Sequence, residues 1–341
     1  MIRRASRLWP LAASVLFSAA SAASQALGAT AQLDCEAAAD YSATRGGLAV
    51  LVYEKGELIF ERYQNGHSKD RPQHIFSGTK SFAPMVALIA EKEGLLKLDE
   101  KVCKTITEWQ DDELRSQITI RHLLNFTSGL ENNDNALHSP RIQDAHAASV
   151  ACRAAHSPGA RFRYGSNHLM VFGELLNRKL RAAEPAKDSK QPPPKDFVDY
   201  LDQRILQPID CRYTKWIRDR KGHPALPFGA YLTAREWAKF GLLVLHRGKH
   251  EGQQIVPTAH FDECFRGSKA NPRYGLNFWL IGADVHKRDE AIPADTATAA
   301  GMFGQKLYLM PSKDLLVVRL AKTGTRRRIN DLKFLSSLFG G

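Results

Sequence analysis

The stretch HIFSGTKSFAPMVALIAEKEGLLKLDE, residues 74–100, is the most informative part of the sequence because it joins a chemical motif to an apolar helix. Almost every residue in 82–90 is apolar, which predicts a buried central helix. Residues 77–80 open that helix, and Ser77 and Lys80 share one face at a spacing of i, i+3. An amine beside a hydroxyl at a helix N-terminus suits nucleophilic catalysis.

A purely structural alternative exists for the same residues. In that interpretation Ser77 caps the helix and Lys80 is a solvated residue of its first turn. Pro84 adds a local expectation, because it has no N–H to donate to the Lys80 carbonyl. We therefore expect a kink one turn after Lys80.

A second segment, SPGARFRYGSNHLMVFGELL at 157–176, places a phenol and two polar side chains on a turn that enters a helix. Tyr164 can serve as a general base if a nearby cation holds its phenolate. Ser166 and Asn167 can donate hydrogen bonds to a substrate. The alternative for Tyr164 is a buried aromatic residue at the start of a helix.

These blocks resemble the serine β-lactamase and penicillin-binding-protein superfamily, in its class C, esterase-like branch. The segment FSGTKSF is similar to the Ser-x-x-Lys box, and the likeness extends over roughly 47–320 in an ordered series. The other blocks are ITIRHLLNFTSGL (118–130), PGARFRYGSNHLMVFGELL (158–176), FGAYLTAREWAKFGLLVLHRGKHEGQQIVP (228–257) and YGLNFWL (274–280).

The resemblance implies a role for each matching residue. Ser77 would be the nucleophile, and Lys80 and Tyr164 would handle its proton. The oxyanion would lie between the backbone N–H groups of Ser77 and Met302. The third box of the family would correspond to Ala299-Ala300-Gly301, where a valine in place of Gly301 is expected to impair turnover far more than stability.

Two departures from the family pattern leave questions open. The segment Tyr164-Gly165-Ser166-Asn167 is one residue longer than Tyr-x-Asn, so either Ser166 or Asn167 takes the asparagine position. The chain also contains a literal Lys322-Thr323-Gly324. We interpret this match as coincidental. In the family the third box is followed by two further strands and a helix, and too few residues follow Gly324 to form them.

The predicted fold is α/β in the broad sense, or α+β by layers, with an antiparallel sheet built from both chain ends and flanked by helices. It is the β-lactamase/transpeptidase-like fold with an inserted, mostly helical domain. The hydrophobic patterns predict a hairpin from the first two strands, four helices, three late strands and a closing helix. In chain order these are 48–53, 57–63, 118–124, 168–180, 197–206, 233–246, 275–281, 305–310, 314–321 and 330–339.

The predicted domain boundaries follow from the same patterns and from the N-terminus. Residues 1–28 have a basic start, an apolar run and small residues, which are typical of a secretory signal peptide. The hydrolase domain would span 30–341. Within it the sheet would come from about 44–75 and 270–341 and the helical part from about 76–265, with a Pro-rich insertion at 182–195.

Export predicts a periplasmic or secreted protein, with membrane contact only if the N-terminal segment stays uncleaved. Thiols can oxidise in such a compartment. The chain has 5 cysteines, at positions that match no zinc or redox motif. We expect one or two disulfides among them, or buried thiols.

Composition excludes several classes of function. The net charge is +12, yet the basic residues are scattered and no nucleic-acid-binding motif accompanies them. No pattern indicates a metal site or a cofactor. The partner expected is a small ester, amide or lactam, cleaved through an acyl-enzyme. The alternatives are a β-lactamase, a D-Ala-D-Ala carboxypeptidase-like penicillin-binding protein, or an inactive binding protein of the same fold.

Overall fold

A six-stranded antiparallel sheet lies at the centre of the computed structural model, which describes residues 33–183 and 192–341. The described residues form the strands β1 (Gly47–Glu54), β2 (Glu57–Tyr63), β3 (Gln73–His74), β4 (Lys215–Trp216), β5 (Ala230–Leu232), β6 (Lys249–His250), β7 (Gln253–Gln254), β8 (Trp279–Leu280), β9 (Ala297–Gly301), β10 (Gln305–Met310) and β11 (Leu315–Ala321). Strands β3, β5 and β4 form a small separate sheet, and β6 and β7 form a hairpin. The large sheet has the order β2-β1-β11-β10-β9-β8. It therefore joins strands from both ends of the chain, and the predicted fold is confirmed.

Strands β1 and β11 lie inside the sheet and are buried on both faces, so their sequences are nearly continuous apolar runs. Strand β1 pairs with β11 so that Leu51 lies opposite Val318 and Val52 opposite Val317. Leu51 and Val318 belong to the core on the face that α2 (Phe82–Lys92), α6 (Asn167–Ala182) and α8 (Ala234–Leu245) cover. Val52 and Val317 belong to a second core on the opposite face.

Helices cover both faces of this sheet. They are α1 (Cys35–Thr44), α2 (Phe82–Lys92), α3 (Ile120–Leu124), α4 (Asp134–Leu137), α5 (Ala145–Val150), α6 (Asn167–Ala182), α7 (Phe197–Leu201), α8 (Ala234–Leu245), α9 (Gly282–His286) and α10 (Asp331–Leu338). Helices α1 and α10 pack on each other, while α8 packs against β1, β10 and β11. The long connection between β2 and β8 carries α2 to α8 together with the short strands β3 to β7.

The central helix begins later than the sequence indicates. Residues Phe76–Ser81 form a 3₁₀ helix, and α2 follows it from Phe82. Pro84 is the third residue of α2, within the first turn, where backbone N–H groups have no intrahelical acceptor. The expected kink after Lys80 is thus replaced by a change of helix type before Pro84, and 82–90 is buried as predicted.

Residues Leu33–Gly341 form one compact unit. The predicted signal peptide lies outside the described residues, as does 184–191 of the Pro-rich insertion. Within 33–183 and 192–341, no helix is both long and apolar enough to cross a membrane. The boundary between signal peptide and hydrolase domain stays a prediction.

All five cysteines fall within the described residues, and each is a free thiol. Cys211 and Cys264 are buried, and burial raises the pKa of the Cys211 thiol well above its usual value. Burial, with help from Asp34 and Glu36, raises the pKa of Cys35 to about 11. Of the two expectations for the cysteines, the structure shows unpaired thiols.

Candidate active site

Ser77 and Lys80 are brought together by the 3₁₀ helix that precedes α2. Side chains at i and i+3 of such a helix point in the same direction. Lys80 Nζ donates a hydrogen bond of 2.9 Å to Ser77 Oγ and another of 2.9 Å to the Pro227 carbonyl. Lys80 is only 3% exposed, and no carboxylate of the described residues pairs with it. The lysine is therefore no solvated surface residue, and its amine is held against the serine hydroxyl.

Tyr164 lies on the other side of the Lys80 amine. Lys80 Nζ is 4.9 Å from the centre of the Tyr164 ring, in cation–π geometry. The ring is half-buried and stacks on Trp279 at 5.4 Å between centroids. Tyr274 and Phe126 meet its edge. The lysine thus contacts both other residues predicted to carry the reaction.

The two candidates for the asparagine position have different surroundings. Ser166 precedes α6, and its hydroxyl lies 2.8 Å from His138 Nε2. The Asn167 amide is occupied elsewhere, because its nitrogen donates to the Glu131 carbonyl and its oxygen accepts from Ser149 Oγ at 3.1 Å. Asn167 therefore anchors neighbouring loops, and the geometry favours Ser166 at the position of the second box.

His138 is a site residue that sequence patterns did not single out. It follows α4, and its ring meets the Phe228 ring edge-on at 4.3 Å, one residue after the carbonyl that binds Lys80. Burial lowers the pKa of His138 below its usual value, and the nearby Lys80 charge adds to this while Asp134 opposes it. No local pattern could have revealed it, because His138 lies far from Ser77 and Ser166 along the chain.

Strand β9 runs alongside the 3₁₀ helix that carries Ser77 and Lys80. Gly301 ends it, and a Cβ added there would lie 2.0 Å from the Ile75 carbonyl oxygen. The expectation for a Gly301 valine variant is therefore wrong in one respect. The glycine is needed first for the close approach of two backbone segments, so stability will suffer with turnover.

The predicted oxyanion donors begin two short 3₁₀ turns. Ser77 is in the first turn of Phe76–Ser81, and Met302 starts Met302–Gly304. The first N–H groups of a helical turn have no intrahelical acceptor, so they are available to an oxyanion. Phe76 and Phe303 flank these donors with φ of 47° and 64°, and their rings meet edge-on at 5.3 Å. Such backbone strain often accompanies functional sites.

The literal Lys322-Thr323-Gly324 lies elsewhere. It follows β11, the last strand, and all three residues are exposed. Thr323 Oγ1 accepts a hydrogen bond of 3.0 Å from Gln73 Nε2. By contrast, β9 is followed by β10, β11 and α10, the succession that the family box requires.

One cluster of potential metal ligands occurs among the described residues, formed by Asp144, Asp219 and His223. Its carboxylates already have partners. Asp144 caps α5 by accepting from the Ala147 N–H, and Asp219 accepts from the N–H of His223. The cluster therefore has a clear structural role in joining α5 to the loop at 219–223.

The fold and the Ser-x-x-Lys pair together define the class of serine β-lactamases and penicillin-binding proteins. The family model described as Beta-lactamase matches residues 33–335. The chain belongs to this β-lactamase family, whose members include esterases and amide hydrolases.

Three solved structures illustrate the shared fold. A putative β-lactamase from Bacteroides dorei is 16% identical with a TM-score of 0.72, covering 90% of this chain and 98% of that one. A putative 6-aminohexanoate-dimer hydrolase from Bacillus anthracis is 17% identical with a TM-score of 0.69, covering 89% and 79%. A family VIII carboxylesterase is 14% identical with a TM-score of 0.66, covering 90% and 97%. At these identities the similarity shows the fold alone.

Proposed function

We propose that this protein is an exported serine hydrolase that cleaves an ester or amide through an acyl-enzyme on Ser77. The observation that carries the proposal is the 2.9 Å hydrogen bond between Lys80 Nζ and Ser77 Oγ at a buried position. A lysine placed only for solubility would extend into water, whereas this amine is held between a hydroxyl and a carbonyl.

In the proposed reaction, Ser77 Oγ attacks the carbonyl carbon of the substrate while its proton passes to the Lys80–Tyr164 pair. The carbonyl π electrons move to the oxygen, which the N–H groups of Ser77 and Met302 stabilise. Collapse of this intermediate expels the alcohol or amine, which takes up the proton. Water then attacks the acyl-enzyme in the same manner, releasing the acid and restoring Ser77.

The third box favours neutral substrates over those that carry a carboxylate. By the resemblance, Ala299 corresponds to the position where relatives have a lysine or histidine, and this buried alanine supplies no cation. Trp279 and Phe162, in contact with Tyr164 or with each other, add apolar surface beside the reacting groups. This environment supports a neutral ester or amide in preference to a penicillin or a peptidoglycan stem.

A fluorophosphonate probe tests the proposed nucleophile. We expect the probe to modify the wild-type protein at Ser77, identified by peptide mass, and to leave Ser77→Ala unmodified. Ser337→Ala is the matched control, because Ser337 lies on α10 and its hydroxyl donates to the Lys333 carbonyl of the same helix. A wild-type protein that the probe does not modify would instead support an inactive binding protein.

A substrate panel then separates the enzymatic alternatives. We expect p-nitrophenyl esters to be hydrolysed faster than nitrocefin or a D-Ala-D-Ala peptide, as judged by kcat/KM. The reverse order would favour a β-lactamase or a carboxypeptidase. Export is tested separately, by N-terminal sequencing of the protein recovered from the periplasm or the medium.

A further inference from the structure

A series of contacts, called here the Lys80 circuit, starts at the Lys80 amine and returns to it through Phe228, His138, Ser166 and Tyr164. Lys80 binds the Pro227 carbonyl, and the next residue, Phe228, meets the His138 ring. His138 Nε2 bonds Ser166 Oγ at 2.8 Å. Ser166 lies two residues after Tyr164, whose ring returns to Lys80. His138 is therefore built into the catalytic surroundings even though it lies on another element.

Asp134 contacts both members of the His138–Ser166 pair. The backbone N–H of Ser166 donates to Asp134 Oδ1 at 2.8 Å, and His138 Nε2 lies 3.9 Å from the same oxygen. Asn132 fixes this carboxylate, since its side-chain nitrogen bonds Asp134 Oδ2 at 3.2 Å and the Tyr164 carbonyl at 3.3 Å. The start of α4 thus holds the whole Tyr164–Ser166 turn.

A serine alone is a poor substitute for an asparagine in the second box, because its hydroxyl is shorter and has one proton. Asn167 offers no replacement, since its amide is bound to the Glu131 carbonyl and to Ser149. The imidazole of His138 supplies the missing length and a second polar atom. Ser166 is 1% exposed while the His138 side chain is 41% exposed, so the pair extends from the buried turn to the solvent.

We propose that His138 and Ser166 form one hydrogen-bonding unit in the second box, with His138 as the positioning residue that fixes the orientation of the Ser166 hydroxyl. The proposal rests on the proposed hydrolase function. Two charged groups of the described residues affect the pKa of His138. Asp134 lies on α4, which His138 follows, and Lys80 lies on the 3₁₀ helix of Ser77. Protonation of His138 would place a second positive charge near Lys80 and would remove the acceptor nitrogen from the pair.

The first test compares variants by the pH dependence of kcat/KM for a p-nitrophenyl ester. His138→Gln replaces the imidazole with an amide that can still hydrogen-bond the Ser166 hydroxyl, its oxygen accepting or its nitrogen donating, and that does not titrate. We expect it to stay within about threefold of wild type at pH 7.5 and to shift the acidic limb to lower pH. His138→Ala and Ser166→Ala should each lose about tenfold, and the double variant should be no worse than either, because the two act as one unit.

His250→Gln is the matched control, since His250 lies in the β6–β7 hairpin, outside the Lys80 circuit. We expect it to leave both kcat/KM and the acidic limb unchanged. Ser166→Asn in the His138→Ala background should recover activity to within about threefold of wild type, because the longer amide fills the place of the pair. The melting temperature of each variant confirms that it is folded.

The outcomes distinguish this proposal from the proposed function. If a fluorophosphonate labels Ser77 but the acidic limb of His138→Gln equals that of wild type, the positioning role is wrong while the hydrolase function stands. Losses that multiply in the His138→Ala/Ser166→Ala double variant would show that the two residues act independently. Failure of Ser166→Asn to recover activity would contradict the proposal as well. If the probe does not label Ser77 in the wild-type protein, the proposed hydrolase function is wrong, and the proposed role of His138 is wrong with it.

Discussion

Lys80 is the residue that connects the other two members of the predicted proton path. Its amine bonds Ser77 Oγ and faces the Tyr164 ring. We expect Lys80→Ala and Tyr164→Phe each to lower kcat by about 10²- to 10⁴-fold, the usual contribution of general acid–base catalysis. The double variant should be little worse than the more impaired single one, because both changes interrupt the same proton transfer. Steady-state kinetics on one neutral ester provides the measurement.

Lys322→Ala is the control for these substitutions. Lys322 is exposed and follows the last strand, so kcat/KM should change by less than about threefold, under 1 kcal/mol of transition-state stabilisation. A crippled Lys322→Ala enzyme would show that the literal Lys-Thr-Gly is the real third box. Losses that multiply in the Lys80–Tyr164 double variant would show that the two residues act separately.

At this scale the sequence predicts local pairs better than distant ones. The proximity of Ser77 and Lys80 follows from helical spacing alone. Tyr164 reaches Lys80 only through tertiary packing, so its place was inferred from the resemblance and not from spacing. His138 could not have been predicted, because its bond to Ser166 depends on how the loop before α5 folds back onto the start of α6.

Among the elements, β9 closely approaches the backbone just before the 3₁₀ helix of Ser77, at Gly301 and Ile75. An added Cβ would lie 2.0 Å from the Ile75 carbonyl oxygen, so backbone must move to admit any side chain. We expect Gly301→Val to lower the free energy of unfolding by about 1–3 kcal/mol, the usual cost of overpacking, and to impair turnover as well. Urea unfolding followed by circular dichroism, together with ester hydrolysis, measures both effects.

Ala300→Val provides the comparison on the same strand. Ala300 is half-buried and already carries a Cβ, and a β-branched residue suits a strand. We expect a change in unfolding free energy below about 1 kcal/mol. A Gly301→Val protein as stable as Ala300→Val would mean that β9 can move away from Ile75 at little cost.

A second connection between elements runs through Arg319 on β11. Its guanidinium is fully buried and donates to the Gly304 carbonyl at 2.6 Å and to the Arg45 carbonyl at 3.0 Å. Burial lowers its pKa to about 10. It thereby ties the turn that contains Met302 to the end of α1.

We expect Arg319→Met to lower the free energy of unfolding by about 2–4 kcal/mol, because buried carbonyls lose their donor. Ester hydrolysis should fall as well, since the Met302 turn loses its anchor. Arg326→Met is the control, because Arg326 is exposed, and it should change stability by less than about 0.5 kcal/mol. An unchanged Arg319→Met would mean that the cost of burying the guanidinium cancels its hydrogen bonds.

Elements with strong periodicity were predicted well, and weakly patterned ones were not. The segments 305–310 and 314–321 form β10 and β11, and 233–246 corresponds to α8. Only Trp279–Leu280 of the predicted strand 275–281 pairs in the sheet, because its first half bends through Asn277 at a φ of 62°. Helix α1 was missed, since its alanine-rich sequence has little amphipathic contrast and is stabilised by packing on α10.

On the scale of the whole molecule, the sheet was predictable because its strands are apolar and its family blocks occur in order. What the sequence could not supply is the path of the irregular segments between the blocks. The 131–165 region holds His138, Asp134 and the partners of Asn167, and its folding depends on side-chain hydrogen bonds rather than on periodicity. Active-site details beyond the family motifs therefore require the structure.

The charge balance of the molecule predicts sensitivity to acid. The net charge is +12 at pH 7, so each carboxylate that gains a proton increases self-repulsion. Glu174 on α6 is the clearest single contributor. Burial opposes its ionisation, but hydrogen bonds from His146 and Arg178 outweigh this and lower its pKa from 4.5 to about 2. A depressed carboxyl pKa stabilises the folded state above pH 4.5, and that stability is lost as the pH falls toward 2.

We therefore expect Glu174→Gln to lower the free energy of unfolding at pH 7 by on the order of 2 kcal/mol, since one pKa unit corresponds to about 1.4 kcal/mol. The variant should also lose less stability than wild type between pH 7 and pH 3. Urea unfolding at both pH values gives the comparison, and Glu113→Gln, which alters an exposed carboxyl, is the matched control. If Glu174→Gln and wild type lose the same stability over this range, the contacts with His146 and Arg178 do not hold Glu174 ionised, and acid sensitivity must come from the remaining carboxylates.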